Sequence, residues 1–143
     1  MPEKVALQFS KLQHIGIPVS NVEKTIQFYQ LLGFEVAMDR PFDHDEGAGR
    51  CVMMQRGGIV MEFYQLPGTA VARDIITRGD GHIDHLAFDV NNIDQVYDEI
   101  KKAGFGPLQP APVFLDFWDH GVKFFHILGP DGERLEFNEI LQN

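Results

Sequence analysis

The chain has 143 residues, 44 % hydrophobic and 23 % charged, enough length and apolar content to bury a core without staples. A net charge of -9 and a pI near 5.0 exclude an electrostatic fit to nucleic acid or to an anionic membrane and leave a small molecule or a protein as partner. The single cysteine, Cys51, excludes an intrachain disulfide framework, and neither a signal-type leader nor a run of ~18 apolar residues is present, so the expectation is a soluble cytoplasmic protein.

In chain order, LQHIGIPV from Leu12 reads as a strand with Ile15, Ile17 and Val19 on one face and His14 and Gly16 on the other. Ser20 with Glu23 has capping-box spacing, and Val22, Ile26, Tyr29 and Leu32 form the apolar stripe of the helix that follows. Gly33 stands where a left-handed C-cap belongs. An extended run follows, DRPFDHDEGAGR reads as a polar loop, and GGIVMEFYQ is a strand that sets Glu62 opposite Met61 and Phe63. Pro67 to Asp80, with PG and RGDG, reads as a boundary.

GHIDHLAFDV begins the pattern again, with His85 and Ala87 opposed to Leu86, Phe88 and Val90. Asn91 or Asn92 caps a helix with the stripe Ile93, Val96, Ile100 and Ala103, and Gly104 ends it. In VKFFHILG, His126 shares a face with Phe124 and Leu128; it reads as a satisfied strand histidine, with a pocket role as the alternative. The chain then turns at GPDG into a strand with Glu136 opposite Leu135 and Phe137.

Laid against itself, the chain is a repeat. His14 pairs with His85 (85 minus 14 is 71), and Val19, Asn21, Gly33 and Phe34 pair with Val90, Asn92, Gly104 and Phe105 at the same offset. Glu62 pairs with Glu136 (136 minus 62 is 74), which puts about three extra residues near APVFLDFWDHG in the second half. The expectation is one domain, residues 1–143, of α+β class: modules 10–66 and 82–141, each strand-helix-strand-strand-strand, forming a curved, half-barrel-like mixed sheet.

Each module thus supplies one His on its first strand and one Glu on its last, the donor set of a divalent cation if the modules face one another. A carboxylate beside large apolar residues costs several kcal/mol to desolvate unless it is paired or coordinates a cation. The four residues His14, Glu62, His85 and Glu136 are therefore candidate metal ligands. His44 reads as a surface residue, His82 and His120 as solvated loop residues with a place at an entrance as the alternative, and GHIDH lacks the glutamate and spacing of the helical HExxH motif.

The segments HIGIPVSNVEKTIQFYQLLGFEV, VMEFYQ, HLAFDVNNID and GPDGERLEFNE resemble the vicinal oxygen chelate superfamily, which contains glyoxalase I and the bleomycin-resistance proteins, from Leu12 to Ile140. Residue by residue, that resemblance puts the family's metal positions on His14, Glu62, His85 and Glu136, most like bacterial glyoxalase I. It implies one octahedral divalent ion (nickel, cobalt, zinc, manganese or iron) that takes a substrate through adjacent oxygens. Glu136 or Glu62 would be the catalytic base, Glu136 the slightly favoured one, in lyase or isomerase chemistry on a small α-hydroxycarbonyl or thiohemiacetal. It also implies a homodimer, with the metal site inside one chain or shared between subunits.

Two positions that hold the glutathione carboxylates in glyoxalase I read Pro18 and Leu66 here, a departure that argues against glutathione as the substrate. Tyr64, Arg134, Asn138, Phe117, Trp118 and His126 are the candidate substrate-binding residues, the aromatic FLDFWDHG loop being a lid, satellite core or a dimer contact. The alternatives implied by the same resemblance are an extradiol-type dioxygenase, an epimerase (disfavoured by Glu62, where glutamine is usual) and a non-catalytic binding protein of the bleomycin-resistance kind.

Overall fold

The computed structural model describes Ala6, Gln8, residues 12–78 and residues 85–143; His82 and the RGDG segment after Arg78 lie outside the described residues. The chain divides between Gly68 and Thr69 into two compact units. The architecture is α+β, as expected, and the repeat produces two four-stranded mixed sheets, one in each unit. Among the described residues, no helix is long and apolar enough to cross a membrane.

The first unit contains β1 (Ile15–Pro18), α1 (Val22–Leu31), β2 (Glu35–His44), β3 (Gly47–Arg56) and β4 (Ile59–Gln65), with sheet order β1-β4-β3-β2. β1 runs parallel to β4, the helix making the crossover such a pair requires, and the other pairings are antiparallel. The helix begins one residue later than the capping-box spacing suggests. Asn21, not Ser20, is the N-cap, its side chain accepting from the Lys24 N–H at 3.1 Å, while Glu23 turns away to Arg50. Gln65 at the end of β4 adds a second cap by accepting from Val22 N–H at 2.8 Å. Gly33 takes φ +87° just past the helix, a region where a Cβ is penalised.

DRPFDHDEGAGR is not a loop. β2 and β3 continue through it as a hairpin paired as far as His44 and Gly47, with Asp45 and Glu46 as a two-residue turn. Polar composition misleads there because both faces of this ribbon are solvated, and Asp39 on β2 is fastened to Arg50 on β3 by two hydrogen bonds of 2.9 and 2.6 Å. The core gathers Val22, Tyr29, Val52, Met54, Met61 and Phe63, all fully or almost fully buried, with the Tyr29 and Phe63 rings 4.5 Å apart.

The second unit opens with α2 (Ala70–Thr77), a short helix inside the segment that the sequence marks only as a boundary. It continues with β5 (His85–Asp89), α3 (Ile93–Lys102), β6 (Val113–Leu115), β7 (Val122–Leu128) and β8 (Arg134–Ile140), ordered β5-β8-β7-β6. Asn92 caps α3 through Gln95 N–H, and Glu139 of β8 accepts from Ile93 N–H at 2.9 Å, as Gln65 does in the first unit. The apolar stripe of α3 is anchored by Ile93 and by Tyr97, which the stripe read from sequence omits. The Tyr97 ring packs edge-on against Phe125, itself stacked on Phe137, with centroids 5.0 and 5.1 Å apart. GPDG forms the β7–β8 turn as expected, Gly129 N–H reaching Glu133 O at 2.8 Å.

Candidate metal centre

The parallel ladder of each unit places a His at the start of the first strand beside a Glu in the middle of the last. In the first unit Gly16 is the ladder partner of Glu62, and His14 Nε2 stands 3.8 Å from Glu62 Oε2. In the second, Ala87 is the partner of Glu136, and His85 Nε2 stands 3.7 Å from Glu136 Oε1. Strand alternation is the cause. Met61 and Phe63 go wholly into the core, so Glu62 points the other way, and the fully buried Leu135 does the same for Glu136.

Among the described residues, no three His, Cys, Asp or Glu side chains are arranged to hold a metal ion by themselves; each unit brings a pair. The pair suits a metal by donor type, an imidazole nitrogen beside a carboxylate, and its separations of 3.8 and 3.7 Å lie within the limit of about 4.2 Å for two ligands each about 2.1 Å from one zinc-like ion. His14 Nδ1 meets Gln13 Oε1 at 3.0 Å, and since an amide oxygen only accepts, this contact suits the tautomer with its proton on Nδ1.

The surroundings of the two glutamates differ. The Glu62 side chain is 27 % exposed and that of Glu136 is 12 % exposed. Across the antiparallel ladder from Glu62 stands Met53, with Cys51 next on that face. Burial pushes the Cys51 thiol above its usual pKa, and the neighbouring Glu62 carboxylate adds to the rise. Across from Glu136 stands His126, whose Nε2 meets Glu136 Oε1 at 2.8 Å, while Asn138 Nδ2 donates to Glu136 Oε2 at 2.9 Å. Both carboxylate oxygens of Glu136 are therefore engaged.

Tyr64 lies two residues along β4 from Glu62, and Arg134 and Asn138 lie two residues to either side of Glu136, so the expected side chains do share faces with the glutamates. Phe117 and Trp118 are not brought to the pair. They sit in the β6–β7 connection at the Val122 end of β7, and four strand residues, roughly 13 Å, separate Val122 from His126. At 57 % and 76 % exposed they are not satellite core, and Trp118 holds φ +59°, an uncommon backbone region for a bulky residue. His44, the last residue of β2, and His120, in the β6–β7 connection, are both exposed.

Sequence reasoning missed Gln109. It lies in the irregular segment after α3, which runs beside β7: Leu108 N–H donates to His126 O at 2.8 Å, and Gln109 Oε1 accepts from His126 N–H at 2.7 Å. Gln109 Nε2 then faces His126 Nδ1 at 2.9 Å, and Tyr97 OH donates to the Gln109 carbonyl at 2.7 Å. No local pattern marks a lone polar residue between Leu108 and Pro110 as a partner for a strand residue 17 positions on.

The fold is shared with solved structures. A glyoxalase family protein from Enterococcus faecalis superimposes with a TM-score of 0.69 at 27 % identity, covering 92 % of this chain and 98 % of its own. A virulence protein from Salmonella typhimurium does so with a TM-score of 0.64 at 20 % identity, covering 94 % and 100 %. A bleomycin resistance determinant encoded on the transposon Tn5 gives a TM-score of 0.64 at 19 % identity, covering 93 % and 100 %. No curated protein sequence matches. The family model of the glyoxalase, bleomycin resistance protein and dioxygenase superfamily matches residues 11–137, nearly the whole chain, and this protein belongs to that superfamily.

Proposed function

We propose that the protein is a metal-dependent lyase or isomerase of the glyoxalase I type, acting on a small α-hydroxycarbonyl or thiohemiacetal. One observation carries this reading: the same His–Glu pair recurs in both units, with Nε2 to carboxylate separations of 3.8 and 3.7 Å. In this reading one divalent ion (nickel, cobalt, zinc, manganese or iron) is held by His14, Glu62, His85 and Glu136, a pair of each kind, in a homodimer. The edge strands of each four-stranded sheet support association, because unpaired strand edges favour pairing. The acidic charge and single cysteine support a cytoplasmic setting.

When bound, the ion would polarise a substrate carbonyl and stabilise the negative charge that develops on its oxygen. The chain's own residues handle the proton. Glu62 is the better base of the two, because its carboxylate is the more exposed and faces a thioether and a thiol, whereas both oxygens of Glu136 already accept hydrogen bonds. That reverses the order suggested by sequence alone. Glu62 takes the proton from the hydroxyl-bearing carbon and returns it to the former carbonyl carbon, while the hydroxyl proton passes to the former carbonyl oxygen; one C–H and one O–H bond break and one of each forms, so no oxidant is needed. In this reading Tyr64 and Arg134, each two residues along the strand from a glutamate, bind hydroxyl or carboxylate groups of the substrate.

The test is metal analysis of protein purified without added metal, followed by proton exchange into a panel of ketoaldehydes and α-hydroxycarbonyls. The reading expects about one divalent ion per site and exchange that Glu62→Gln slows by about 10²- to 10⁴-fold. Protein without affinity for any of these ions, or exchange unaffected by both Glu62→Gln and Glu136→Gln, overturns it, and the former result would favour a non-catalytic binding protein.

A further inference from the structure

The side chains around Glu136 offer two histidines, His85 and His126, their ring centroids 5.9 Å apart, and both approach the same carboxylate oxygen. These three side chains are not arranged to hold an ion as they stand, but two histidines and one carboxylate are by type the donor set of a ferrous dioxygenase, so the role of His126 decides between chemistries. We propose that His126 is a positioning residue, locked by Gln109 as the Nε2–H tautomer, which holds Glu136 by donation and does not bind the metal.

His126 N–H can only donate, so the atom of Gln109 that meets it at 2.7 Å is the amide oxygen. The amide nitrogen of Gln109, which can only donate, is thereby turned to His126 Nδ1 at 2.9 Å. Nδ1 must accept, which leaves the ring proton on Nε2, and Nε2 lies 2.8 Å from Glu136 Oε1. A metal-ligating histidine is wired the opposite way, its non-ligating nitrogen donating to an acceptor, and the contact of His14 with Gln13 suits that wiring.

The lock is itself held. Tyr97 OH donates to the Gln109 carbonyl at 2.7 Å, and the Tyr97 ring is buried against Phe125. The His126 side chain is 13 % exposed, so water does not compete freely for either nitrogen. Asn138 fixes the second oxygen of Glu136 at 2.9 Å. Together these contacts orient a carboxylate that the proposed function uses as a ligand; the consequence for metal binding rests on that reading, whereas the tautomer does not.

Two measurements test it separately. In metal-free protein, nitrogen-15 NMR of the histidines should show His126 protonated at Nε2 and bare at Nδ1, and Gln109→Glu should abolish that pattern by facing Nδ1 with an acceptor. A wild-type His126 protonated at Nδ1 overturns the proposal, whatever the metal result. In competition with a chromophoric chelator for cobalt, His126→Leu should weaken binding by about 10- to 100-fold, as loss of an outer-shell partner does. His126→Gln, which keeps an amide N–H near the Nε2 position, should recover most of that loss. A folded His126→Gln protein as weak as His126→Leu would identify His126 as a ligand and overturn the proposal. If wild-type protein takes up no cobalt, the metal-lyase reading falls and the NMR result alone decides the role of His126.

Discussion

In the first unit, the residue across the ladder from the central glutamate is Met53, and its neighbour on β2 is Met38. In the second unit the corresponding residue is His126, and its neighbour is Gln109. The backbone frame is the same, down to the parallel pairing of Gly16 with Glu62 and of Ala87 with Glu136. What differs is whether the carboxylate meets a thioether and a weakly donating thiol or a clamp of nitrogen donors. If the proposed function holds, the duplicated fold keeps a ligand pair in both halves while one glutamate moves a proton and the other stays still.

The sharpest way to break this comparison is to neutralise each glutamate in turn. Glu62→Gln should slow proton exchange by about 10²- to 10⁴-fold, the usual worth of a general base, with a smaller loss of cobalt affinity. Glu136→Gln should show the reverse balance, and equal profiles for the two variants would mean that the clamp has no consequence.

Core truncation asks whether the units are energetically separate. Phe63→Ala and Phe125→Ala each remove a fully buried ring and should cost about 3–5 kcal/mol. Hydrogen exchange should quicken chiefly in the unit that carries the change, since each ring packs among partners of its own unit, Tyr29 for Phe63 and Tyr97 with Phe137 for Phe125.

A smaller effect should come from the helix caps. Asn21→Ala and Asn92→Ala should each cost about 1 kcal/mol in chemical denaturation. The second caps differ in charge, Gln65 in the first unit and Glu139 in the second, so added salt should weaken only the contribution of Glu139, an anion at a helix N-terminus.

The smallest effect belongs to the hairpin of the first unit. The hydrogen bonds from Arg50 hold the Asp39 carboxyl below its usual pKa. A depressed carboxylate stabilises the fold above the ordinary carboxylate range, and that contribution disappears as pH falls through its folded value. Arg50→Leu should therefore be slightly less stable than wild type at neutral pH and indistinguishable from it in strong acid, as followed by thermal melts across pH. The effect is small because both side chains are more than a third exposed and water screens them.

How much of this was legible in the sequence depended on the range of the interaction. Strand alternation and the repeat put His14, Glu62, His85 and Glu136 on the faces away from the core, because side-chain direction in a strand is set by its nearest neighbours. Gly33 and Gly104 marked the helix ends for the same local reason, and both have positive φ. The α2 helix left a trace in AVARDIIT, where Val71 and Ile75 are four apart, but eight residues between turn signals were too few to stand out. The hairpin through DRPFDHDEGAGR was hidden because neither of its faces supplies an apolar rhythm.

The sequence by itself determined the duplicated strand-helix-strand order and which four side chains point out of each core, since both follow from periodicities of two and 3.6 residues. Only the tertiary structure decided which partner each glutamate meets. That depends on cross-strand register and on the segment from Gly106 to Pro110 lying along β7, pairings between residues far apart in the chain that no local spacing encodes.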